Sequence, residues 1–77
     1  MGNRIILTTA NAGQYVAPRT LPAHIRAGKH AAYVMLMLKV RIAEEARAGR
    51  KGGVTVRAWE VTPAGTYLYP PVAELTA

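Results

Sequence analysis

The side chains in this 77-residue chain that can move a proton or form a covalent bond are few. The sequence has no Ser, no Cys and no Asp, which leaves His24, His30, four Glu and the Tyr, Lys and Thr residues. Serine and cysteine nucleophiles are thereby excluded. The two histidines stand six apart with no thiolate near them, whereas a structural zinc wants four closely spaced ligands. Glu45 lies one turn from Arg41 and Glu44 three residues from Arg47, a spacing that reads as solvated helix pairs worth about a few tenths of a kcal/mol each. Glu60 and Glu74 are isolated in sequence, so no paired-carboxylate mechanism is suggested. Gly28-Lys29 has the end of a phosphate-binding loop, but Ala23 sits where the first Gly is required and His30 where a hydroxyl should hold magnesium. What remains there is an anion at the backbone N–H groups of Lys29 to Ala31 beside the Lys29 ammonium, or a plain chain break with a solvated lysine. The expectation is a chain that is not an enzyme and uses no cofactor or metal.

Binding chemistry is better represented. Seven Arg and three Lys against four Glu give a net charge of +6 and an isoelectric point near 10.4. Such an excess favours nucleic acid, an acidic protein surface or a lipid headgroup, or serves solubility alone. Arg50-Lys51-Gly52-Gly53 can engage an anion through its side chains, although a helix C-terminus before it repels anions and a simple connector is the rival reading. Arg57, Trp59, Tyr67 and Tyr69 interleave cations with rings, as in the platforms on which single-stranded bases stack. No ribonucleoprotein-type motif accompanies them, and Phe is absent.

The elements that would position these groups are legible from spacing. From Lys29 to Ala48 there is no Pro or Gly, Arg47 falls in the last turn and Gly49 follows, which predicts a helix about 30 Å long. Thr20 is placed to cap a short turn at Leu21-Pro22, and Gly28 breaks the chain before the helix. Asn3 to Thr9 and Gln14 to Ala17 read as strands joined by Ala10-Asn11-Ala12-Gly13. Val54 to Thr62 and Thr66 to Tyr69 form a second hairpin about Pro63-Ala64-Gly65, with Gly65 left-handed. That loop length sets Thr62 opposite Thr66, Val61 opposite Tyr67, Glu60 opposite Leu68 and Trp59 opposite Tyr69. The expected fold is a single domain over residues 1–77: α+β, a small single-layer antiparallel sheet of three to four strands, ββαββ-like, packed on one long helix.

Both sheet faces are then apolar. One carries Arg57, Trp59, Val61, Tyr67 and Tyr69, the other Val54, Val56, Ala58 and Leu68. One helix covers one face. The preferred assignment sets the aliphatic face, with Ile5 and Leu7, on the helix and turns the aromatic face outward; the rival packs the aromatics on the helix methionines. The helix has a first apolar stripe, Ala31, Met35, Leu38 and Ile42, and a second, Ala32, Leu36, Val40 and Ala43, about 100° away. The second suits an oligomer or protein interface, or a deeper core under the N-terminal loop.

No stretch has the pattern of a secretory leader, and the longest apolar run, Ala31 to Leu38, is far below the roughly 20 residues of a membrane span. A cytoplasmic protein with no membrane partner is expected. The functional expectation is a small non-enzymatic modulator or inhibitor, of the kind phages and other mobile elements encode, that occupies a surface of a larger nucleic-acid-handling protein complex. Two rivals stand beside it. One is a homodimer that binds nucleic acid directly through Arg57, Trp59, Tyr67, Tyr69, Arg50 and Lys51; the other is a structural assembly subunit.

Overall fold

Strand β1 (Arg4–Asn11), strand β2 (Gln14–Thr20), helix α1 (Ala31–Arg47), strand β3 (Val54–Val61) and strand β4 (Tyr67–Thr76) follow one another along the chain. The structure, a computed structural model, describes residues 2–11, 14–49 and 53–77. The strands form one antiparallel sheet in the order β2-β1-β3-β4, with α1 on one face, lying across β3 and β4. This is the expected small α+β domain. No helix among the described residues is long and apolar enough to cross a membrane.

Alternation along the central strands decides which face is covered. Ile5 and Leu7 of β1 and Val54, Val56 and Ala58 of β3 share a face and are buried with Val34 and Leu38 of α1. Leu21 and Ile25, from the segment between β2 and α1, complete the cluster. That segment is two tight turns, with Ile25 N–H donating to Pro22 O and His30 N–H to Arg26 O. His30 Nδ1 accepts from Arg26 N–H at 3.0 Å, so the residues before Ala31 are committed to a turn and the helix starts two residues later than its composition suggests. It ends where expected, with Gly49 at φ +85°. Thr20 ends β2 rather than capping a turn; the strand runs through Pro18, which an edge strand tolerates.

The second hairpin keeps the register its turn demands, up to a point. Gly65 has φ +90°, its N–H donates to Thr62 O, and Val61 and Glu60 oppose Tyr67 and Leu68. Beyond Glu60 the ladder breaks. Ala58 pairs with Ala73, so the stretch from Tyr69 to Val72, with a cis bond at Tyr69-Pro70, bulges opposite Trp59. The expected Trp59 to Tyr69 pairing is thus absent from the ladder, and β4 runs on to Thr76 instead of stopping at Tyr69. Pro70 and Pro71 cannot donate to a ladder, but on an edge strand their place in a bulge removes the conflict.

The helix is rotated from the orientation its apolar residues predict. Its buried stripe is Val34, Leu38, Arg41 and Glu45, turned by about 60° from the first stripe read off hydrophobicity at 100° per residue. Ala31 is exposed, and Met35 and Ile42 lie half-buried beside the core. Glu45 is wholly buried and Arg41 nearly so; they pair at 2.9 Å, and Asn11 Nδ2 donates to Glu45 at 3.0 Å. Glu44 takes Arg19 at 3.1 Å and Arg41 at 3.3 Å, tying β2 to α1. The carboxylates expected to be solvated therefore anchor the helix to the sheet. Every buried side-chain N and O atom among the described residues has a hydrogen-bond partner.

Candidate functional site

With α1 on the aliphatic face, the face carrying Arg4, Ile6, Thr8, Arg57, Trp59, Val61 and Tyr67 has no second layer among the described residues. Trp59 sits at its centre. Its Nε1–H donates to Thr8 Oγ1 at 2.8 Å, which fixes the indole plane from the neighbouring strand. Tyr67 meets it edge-on at 5.8 Å between ring centroids, and Tyr69 stands tilted at 6.4 Å. Such arrangements follow the ring quadrupole, negative on the face and positive at the edge. The bulge brings Tyr69 back beside Trp59 without ladder pairing, and it is the most displayed of the large apolar residues among those described, 85% exposed. Tyr67 and Val72 are about two-fifths exposed.

Of Arg57 and Arg4, the two cations on this face, one is settled internally. Arg57 lies opposite Glu74 and its Nε pairs with that carboxylate across β3 and β4. Arg4 is exposed at the end of the face, where Gly2, Arg4, Ile6, Val61, Thr62, Pro63 and Gly65 line a shallow cleft of about 210 Å³. That is smaller than the roughly 300–1,000 Å³ of small-molecule sites.

Of the residues expected at a nucleic-acid or partner surface, Arg57, Trp59, Tyr67 and Tyr69 are brought together on this face. Arg50 and Lys51 lie outside the described residues. The residues expected at an oligomer or protein interface, Ala32, Leu36, Val40 and Ala43, are all exposed, Leu36 by 52%, on the side of α1 away from the sheet. Arg4, Ile6, Thr8 and Val72 were not foreseen as part of the open face. The β1 residues share the face-alternation of Ile5 and Leu7 and were readable from it, whereas Val72 follows a bulge that no alternation predicts. His24 and His30 meet edge-on at 6.1 Å, away from any carboxylate cluster, and no group of three His or Glu that could hold a metal occurs among the described residues. No family model, no curated protein and no solved structure matches this chain.

Proposed function

We propose that this protein is a non-enzymatic binding domain that seats its aromatic sheet face on the surface of a larger protein assembly and modulates that assembly by occupying it. The observation that carries the reading is the cluster of Trp59, Tyr67 and Tyr69 on a sheet face with no second layer among the described residues, with Arg57, the cation two residues from Trp59 on β3, already paired with Glu74. Exposed aromatic patches of this kind mark interaction sites, because burying Trp and Tyr against a partner yields more free energy per residue than other side chains do. A phosphate-binding surface would keep its cations unpaired, since neutralising phosphates and releasing their counterions is what drives such binding. The net charge of +6 suits an assembly that handles nucleic acid, whose protein surfaces are set in an anionic environment.

Direct binding of single strands is the second reading. It is favoured by the exposure of Tyr69 beside the half-buried Trp59, a ring on which a base could stack. A photo-crosslinking residue at position 69 in the expressing cell separates the two, with the same residue at exposed Ala23 as control. A discrete protein adduct formed from position 69 only, whose partner's activity changes when purified domain is added, is the expected result. A nucleic-acid adduct transfers the conclusion to the second reading. Adducts indistinguishable from those of position 23 refute both.

A further inference from the structure

The outer side of α1 is a second surface with a different chemistry. Leu36 is 52% exposed, Val40 37% and Tyr33 36%, with Ala32 and Ala43 continuing the strip. Lys39 flanks it and Arg47 closes its C-terminal end, both exposed. Neither is held in an ion pair among the described residues, and the helix carboxylates are engaged elsewhere, Glu44 by Arg19 and Arg41 and Glu45 in the buried network. The strip is therefore apolar along its middle and cationic at its margin. On the sheet face, by contrast, the cation beside the rings, Arg57, pairs with Glu74 of its own chain, and Arg4 stands at the end of that face away from them.

We infer that this helix face docks an acidic amphipathic segment of another protein, its apolar residues covering Leu36 and Val40 and its carboxylates meeting Lys39 and Arg47. The charge pattern selects this occupant. A second copy is disfavoured, because a twofold through the middle of the strip sets Lys39 beside its own copy and Arg47 toward the exposed Lys29 of the other chain. Like charges in such juxtaposition oppose association. A phosphate backbone is disfavoured because Leu36 and Val40 would lose water without apolar contact in return. A membrane surface is disfavoured because interfacial helices place Trp, Phe and Leu on the inserted side, and the largest side chains here are one Leu and one Tyr. An acidic helix with apolar residues at i, i+3, i+4 and i+7 meets both halves of the pattern.

The test uses the full chain, labelled for amide NMR, and a designed peptide of about 18 residues, long enough to hold helix, with Leu along one side and Glu on the flanks. Shifts confined to the outer positions of Ala32 to Arg47 are expected, with affinity falling as salt rises. A peptide with Gln in place of Glu should bind about tenfold more weakly, as should Leu36→Glu with the original peptide, since loss of one well-placed anchor has that size. Leu36→Glu is an exposed change, and its unaltered melting temperature checks that the fold is intact. The inference is overturned by an absence of binding, by equal affinity for the Gln peptide, or by shifts that map to the sheet face. Two further outcomes overturn it: binding to phosphatidylglycerol vesicles in preference to the peptide, and self-association that Leu36→Glu abolishes.

Discussion

Removing the Glu45 carboxylate should be the most damaging single change on the helix. The group is wholly buried, pairs with Arg41 at 2.9 Å and accepts from Asn11 at 3.0 Å. Glu45→Ala leaves the Arg41 guanidinium, 11% exposed, with Glu44 at 3.3 Å as its remaining carboxylate, and deprives Asn11 of its acceptor. Breaking a buried pair by removing one partner costs about 3–5 kcal/mol, because the other charge stays desolvated. A domain of this length has about 4–12 kcal/mol of stability in all, so the variant should be largely destabilised. In thermal unfolding, about 3 kcal/mol corresponds to roughly 12–24 °C at this size. Replacing Asn11, Arg41 and Glu45 together by Leu, Met and Leu should recover most of the loss, since an apolar packing of similar volume removes the desolvation cost along with the pairing. Urea titrations of wild type, the single variant and the triple variant measure this directly. A loss below about 1 kcal/mol for Glu45→Ala would mean the pair acts like a solvated i, i+4 contact, and the network would not be what fixes the rotation of the helix.

Tyr69→Ala should change stability by no more than about 0.5 kcal/mol, as exposed substitutions do, while weakening partner docking by about thirtyfold if the ring is an interface anchor; a large stability loss with unchanged docking would assign the ring to the core. Trp59 fluorescence titrated with short single-stranded and duplex DNA at low and near-physiological salt should show no salt-dependent quenching, because Arg57 is committed to Glu74; strong quenching by single strands that fades with salt would favour direct nucleic-acid binding. Gly65→Ala should lower stability by about 1–2 kcal/mol, because φ +90° is strained for any residue with a Cβ. An unchanged urea midpoint would show that the turn relaxes freely.

Periodicity carried most of the fold and part of the site. The helix end at Gly49, the strand from Val54, the left-handed Gly65 and the assignment of Ile5, Leu7, Val56 and Ala58 to the helix side all follow from local residue types and alternation. Rules based on apolarity could not see that Arg41 and Glu45 belong inside, because each is polar until the other and Asn11 are beside it. Asn11 looked like a loop residue for the same reason: its burial depends on a carboxylate 34 positions away. Pro70 and Pro71 ended the last strand on paper because the missing N–H groups forbid a regular ladder, and a bulge is a tertiary solution that leaves little trace in composition. The aromatic face was legible by register through Tyr67, whereas the position of Tyr69 depends on that bulge.

The distribution of charge separates the two uncovered surfaces more sharply than their apolar content does. On the sheet face Arg57 is matched by Glu74 from the adjacent strand, so a partner there meets rings beside a neutralised pair, with Arg4 exposed at the end of the face. On the helix face the two cations of the strip have no carboxylate to answer them among the described residues, while both helix carboxylates are turned to structural use. A 77-residue chain with one core layer is marginal in stability, and two uncovered apolar faces make it more so, which favours occupied states over the free domain. Linkage then requires that each partner raise the melting temperature, by an amount set by its own concentration over its dissociation constant. Because the faces lie on opposite sides of one core, and share no ion pair among the described residues, binding at one should stabilise the fold without excluding binding at the other. On the two proposals made above, the domain would bridge two surfaces, one that receives its rings and one that is acidic.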